Sequence, residues 1–196
     1  RFRRAHFIFK KQNKLAMKKH SNVQTALSKM AQMFSDKKYS DALQLSRKFQ
    51  TSLKNQAQYH HLVGLCELKI DNYERAIVSF IKSVELAPDN GGFKSNLAIS
   101  YQKNGQLDKA DKLLRSVVLE NPTNVQAVCS LGNVLLEKGD IQEAYSQFES
   151  ADRMVPNSFP ILYAMAGALR KLDLDEAAAN KFSAALQLKP QDTGLL

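Results

Sequence analysis

Adjacent histidines are the first residues in this sequence whose type could do chemistry. His60 and His61 could each offer a ring nitrogen to a metal ion, but neighbouring side chains on a helix point about 100° apart and cannot chelate one ion together. No third ligand stands in register with them, so a metal centre is not expected. Cys66 and Cys129 lie far apart, with neither CxxC nor zinc spacing and with no histidine placed as a base. Nucleophilic chemistry is therefore not expected of them, and a sparse pair of this kind fits reduced thiols in a cytoplasmic location. Gly91-Gly92 lacks the Lys-Ser or Lys-Thr that completes a phosphate-binding loop and reads as a flexible joint between structural units. Asp173, Asp175 and Glu176 gather at a turn and helix start, where acids complement the helix dipole and cap its amides. No catalytic set, cofactor site or metal site emerges, and the chain is not read as an enzyme.

Charge excludes another class. The net charge of +9 suggests a nucleic-acid partner until it is located. Residues 1–22 hold eight Lys or Arg and no acid, which leaves 20 basic against 19 acidic residues in 23–196. The body of the chain is nearly neutral, so it is not expected to track phosphates. No apolar run approaches the roughly 20 residues that span a bilayer.

The side chains that remain must be positioned by helices. Few Gly and Pro interrupt a sequence rich in Ala, Leu, Lys and Gln. Ala recurs at 42, 76, 110, 144 and 178, a period of 34 residues. Pro88, Pro122, Pro156 and Pro190 share that period, as do Phe80, Leu114, Phe148 and Phe182, and the small residues Gly64, Ala98, Gly132 and Ala166. Within residues 57–90, Leu62, Leu65 and Leu68 mark one helix face. Asp71-Asn72 breaks the chain, and Tyr73, Ala76, Ile77, Phe80 and Val84 form a second stripe. Pro88 stops that second helix. Each period is thus two antiparallel helices, A then B. Gly132 and Ala144 are expected to be small because the two helices cross closely there, and Phe148 is expected to fill the space between neighbouring repeats.

This period and pattern resemble the tetratricopeptide repeat (TPR) family over residues 23–192. Residues 125–158 carry the whole motif in Leu131-Gly132, Gly139-Asp140, Ala144, Phe148, Ala151 and Pro156. The resemblance implies an all-α fold, a right-handed superhelical solenoid, with units at 23–56, 57–90, 91–124, 125–158 and 159–192. A lone hairpin cannot cover its apolar stripe, so such arrays are stabilised by stacking. The first unit departs from the motif, with Lys29, Met30 and Lys54 where apolar, small and Pro residues are expected.

In the family the A helices line a concave groove that holds a peptide or protein segment. The expected contacts here are His61, Leu65, Asn96, Ile99, Lys103, Asn133, Tyr163 and Arg170. The wall mixes apolar, amide and cationic groups. The clamp for chaperone tails is not reproduced, because Cys129 stands where Asn133 would need a lysine partner. The asparagine ladder of O-GlcNAc transferase is also missing, since Asn96 is matched by Ser28, Leu62, Ser130 and Ala164. The expected function is a protein-interaction scaffold. The alternative is the substrate-recruiting N-terminal array of a larger sulfotransferase or glycosyltransferase. Residues 1–22 read as a basic segment outside the repeats, with Met17 as a candidate start. The ending at 193–196, with no capping helix, reads as a truncation that leaves self-association through the last repeat open.

Overall fold

The computed structural model describes residues 23–188. The basic segment 1–22, Pro190 and the ending 193–196 lie outside the described residues. Every regular element among those described is helical. Residues 23–35 form α1, followed by α2 (Tyr39–Leu53), α3 (Ala57–Lys69), α4 (Tyr73–Leu86), α5 (Gly91–Lys103) and α6 (Leu107–Glu120). The chain continues through α7 (Val125–Lys138), α8 (Ile141–Met154), α9 (Phe159–Lys171) and α10 (Asp175–Leu188). The chain divides between Pro88 and Asp89 into two compact units, one holding α1–α4 and the other α5–α10.

The most extensive packing is within pairs, α3 with α4, α5 with α6, α7 with α8 and α9 with α10. Within each unit the B helix of one pair also packs on the A helix of the next, as α6 does on α7 and α8 on α9. The A helices of four successive pairs begin at Ala57, Gly91, Val125 and Phe159.

The turn joining A to B repeats in atomic detail. Lys37, Asp71, Gly105, Gly139 and Asp173, spaced 34 apart, all have left-handed backbones with φ between 59° and 91°. The amide one residue later reaches back to a carbonyl near the end of helix A: Lys38 to Met33 (2.8 Å), Asn72 to Glu67 (2.9 Å), Gln106 to Tyr101 (2.8 Å), Asp140 to Leu135 (2.9 Å) and Leu174 to Leu169 (3.1 Å). This is a Schellman stop, which satisfies carbonyls that the helix leaves unpaired and reverses the chain. Asp173 therefore serves as the left-handed stop residue, while Asp175 and Glu176 occupy the first turn of α10.

Pro88, Pro122 and Pro156 each stand two residues past the end of a B helix, as the missing amide hydrogen requires. The next helix then starts on a polar residue. The Asn90 side chain accepts the Phe93 amide at 3.0 Å, and Asn124 accepts that of Ala127 at 3.1 Å. Gly91 and Gly92 are consequently the first two residues of α5 and not a joint, because Asn90 caps the helix ahead of them.

Packing inside each hairpin explains the small and aromatic positions together. A Cβ on Gly64 would stand 2.8 Å from the Phe80 ring, and one on Gly132 would stand 2.5 Å from the Phe148 ring. Each ring thus fills the space beside the glycine of its own hairpin. Phe148 also belongs to one buried cluster with Ile161, Leu162 and Met165 of the next repeat. Where helix B offers the smaller Leu114, helix A has Ala98, and both are fully buried. In the first repeat the sizes are exchanged: Met30 occupies the small position and Ser46 the aromatic one, and both are buried. Total volume at the crossing is conserved, which is what tolerant core substitution requires.

Candidate functional site

In the second unit the A helices α5, α7 and α9 line one open groove of about 590 Å³. Ile99, Gln102 and Lys103 come from α5. Gln126, Ser130, Asn133, Leu136 and Glu137 come from α7, and Lys171 from α9. These residues recur on one face because 3.6 residues per turn brings positions three, four and seven apart into line. The neighbouring A helices touch, α5 with α7 and α7 with α9, so the floor is continuous.

The groove is chemically mixed. Ile99 and Leu136 supply apolar surface, and Gln102 donates to the Glu137 carboxylate at 2.6 Å across the two helices. Gln126 and Ser130 face each other at 3.5 Å. Asn133, Lys103 and Lys171 make no hydrogen bond or ion pair to another described residue and are exposed. Their donors and acceptors are available to a bound molecule.

Three of the eight expected contacts, Ile99, Lys103 and Asn133, meet in this groove. Asn96 lies on α5, half-buried, and does not line it. Tyr163 and Arg170 sit on α9 around the ring of Phe182, Tyr163 edge-on at 5.4 Å and the Arg170 guanidinium over the face at 6.0 Å. Tyr163 also stacks on Phe159 at 6.0 Å. In the first unit Leu65 is half-buried on α3. His61 leans on the Phe80 ring at 5.6 Å, and burial lowers its pKa from the ordinary imidazole value. His61 and Tyr163 are both fifth residues of a unit, and both rest on the aromatic ring of their own helix B.

The family model described as Cytochrome c-type biogenesis protein H TPR domain matches residues 16–161. This chain belongs to the tetratricopeptide repeat family. Among curated TPR relatives, Photosystem I assembly protein Ycf3 of Synechococcus sp. (strain CC9605) is 31% identical over 84 residues, which are 43% of this chain and 46% of that protein. The chain spans less than half the length of the curated relatives it matches. Among solved structures, MamA 41-end from Desulfovibrio magneticus RS-1 superposes with a TM-score of 0.77 at 18% identity, covering 87% of this chain and 97% of that one. YrrB, described as a TPR protein with an unusual peptide-binding site, gives a TM-score of 0.71 at 19% identity, with 93% and 94% covered. These likenesses show a TPR solenoid fold.

Other chemistry is limited in this TPR chain. Cys66 is buried and desolvation, aided by the neighbouring Glu67 charge, pushes its thiol up to about 11. Desolvation also raises Cys129. Both thiols are thus held in the unreactive protonated form at neutral pH. Among the described residues no three His, Cys, Asp or Glu side chains converge as metal ligands, and no helix is long and apolar enough to cross a membrane. Gln102, Gln126, Leu136, Glu137 and Lys171 line the groove as well and are not among the expected contacts. Ser130, the counterpart of Asn96 one repeat later, also lines the groove and is not among the expected contacts. The recurrence puts the two residues in one register, but tertiary packing decides that Ser130 lines the groove while Asn96 does not.

Proposed function

We propose that the chain is a protein-interaction scaffold and that the groove over α5, α7 and α9 holds an extended segment of a partner protein. The observation that carries this reading is the set of unspent polar groups on Asn133, Lys103 and Lys171 beside the apolar side chains of Ile99 and Leu136. Such a wall offers apolar contact for alternate side chains of a peptide and hydrogen bonds for its backbone. The peptide-binding site named for YrrB and the assembly role named for Ycf3 support the same class of function. With both cysteines free, a reducing cytoplasmic setting suits the fold. Catalysis is not part of this reading.

The test is a peptide array of random ten-residue segments probed with the intact chain. Binding peptides are expected to lose at least about tenfold in affinity to the variant Asn133→Ala with Leu136→Ala, since buried interface anchors carry most of the energy. The exposed α6 variant Lys112→Ala serves as control and is expected to bind as the parent does. Equal binding by the groove variant and the control rejects the groove as the site.

A further inference from the structure

One register of the repeat carries an ion network in the second unit and an open crevice in the first. In the second unit Asp108, Asp111 and Arg115 from α6 meet Lys138 from α7 and Glu143 from α8. Arg115 holds both oxygens of Glu143, at 2.6 and 3.0 Å, and its Nε donates to Asp111 at 2.6 Å. Lys138 donates to Asp111 at 2.6 Å and pairs with Asp108 at 3.0 Å. The charges at this register satisfy one another.

Two periods earlier the same five positions are Ser40, Leu43, Arg47, Ile70 and Arg75, and all five line one crevice of about 370 Å³ in the first unit. Arg47 stands where Arg115 stands. Arg75 stands where its carboxylate partner Glu143 stands. The network is absent there, and Arg47 and Arg75 both line the crevice instead. Both arginines are exposed and neither forms an ion pair with another described residue. Two acids also line the crevice. Glu67 is buried at 7% exposure and accepts from the Asn72 amide at 2.9 Å, and Asp41 is exposed without pairing to either arginine.

We propose that this crevice binds an oxyanion between Arg47 and Arg75, supplied from outside the chain, in the place where the second unit uses its own Glu143. A guanidinium presents parallel N–H donors that match two oxygens of a carboxylate or phosphate, as Arg115 demonstrates at the equivalent position. An anion held by both would be attracted by two positive charges at once. The carrier is a phosphate group or an acidic side chain of a partner. The site lies in the first unit and does not depend on the groove of the second.

The experiment follows the Arg Nε–Hε signals of the intact 196-residue chain by NMR. Inorganic phosphate and a capped tetraglutamate peptide are titrated separately at fixed ionic strength, so that loose attraction to the basic residues 1–22 is screened equally throughout. The expected result is saturable movement of the Arg47 and Arg75 signals by at least one probe, weakened roughly tenfold or more in Arg75→Glu. That variant gives Arg47 a resident carboxylate and is expected to melt higher than the parent, which separates loss of binding from loss of folding. Saturation with phosphate alone assigns a phosphate carrier, and saturation with tetraglutamate alone assigns an acidic segment. Linear, non-saturating shifts with both probes, or undiminished binding by Arg75→Glu, overturn the proposal.

Discussion

The ring of Phe148 occupies the space that a Cβ on Gly132 would need, with its Cε1 only 2.5 Å from that point. The contact lies inside one hairpin, between α7 and α8, and both residues are buried. It sets how near the two helix axes come, because any side chain on Gly132 must displace the ring.

Gly132→Ala is therefore expected to destabilise the protein. In an open helix the same change would stabilise by about 0.5–1 kcal/mol. Here overpacking costs about 1–3 kcal/mol and should win. Phe148→Leu reproduces the Ala98–Leu114 pairing of the preceding repeat and is expected to relieve the double variant. Urea unfolding of the two single variants and the double variant measures this coupling. A Gly132→Ala chain more stable than the parent would show that the ring is free to move.

Lys37 takes the left-handed backbone that glycine fills at 105 and 139, with φ 60°. A residue with a Cβ pays a steric cost there, on the order of 1 kcal/mol. Lys37→Gly is expected to raise stability by up to about 1 kcal/mol, and Gly139→Lys to lower it by a similar amount. A Cβ at Gly139 meets nothing within 4 Å, so the loss reports backbone conformation alone. Thermal melts of both variants decide the matter, and unchanged midpoints would count against it.

The ion network of the second unit makes a pH prediction. Burial works against the Asp111 carboxylate, but hydrogen bonds from Lys138 and Arg115 outweigh it and hold its pKa below the ordinary value. The Arg115 hydrogen bond lowers Glu143 in the same way. A folded pKa below the unfolded one contributes stability that is present above the unfolded value, about 4 for these acids. It is lost as pH falls through the lower folded value. Stability should therefore decline below about pH 4, and more steeply in the parent than in Asp111→Asn with Glu143→Gln. At neutral pH that variant is expected to be weaker by about 1–3 kcal/mol. Parallel stability curves for the two proteins would remove the network from the account.

Much of this architecture can be read directly from the chain. The 34-residue recurrence of Ala42, Ala76, Ala110, Ala144 and Ala178 points to repeated helical hairpins, and the described residues fold into paired helices. Pro88 and its counterparts mark helix ends, since a missing amide hydrogen is a property of the residue itself. The turn chemistry at Gly105 and Gly139 is equally local. Recurrence also gives the equivalence of Arg47 with Arg115 and of Arg75 with Glu143.

Recurrence says which residues are alike but not which ones touch. The rotation and crossing of the helices place Phe148 on Gly132 of its own hairpin, bring Ser130 into the groove beside Asn133, and turn Tyr163 toward Phe182. They likewise join Arg115 to Glu143 while leaving Arg47 and Arg75 to line an open crevice. The sequence alone determined the helices, their ends and their pairing, because those follow from local backbone preference and apolar spacing. The tertiary structure decided the contacts, because side chains distant along the chain meet only where close packing of whole helices permits it.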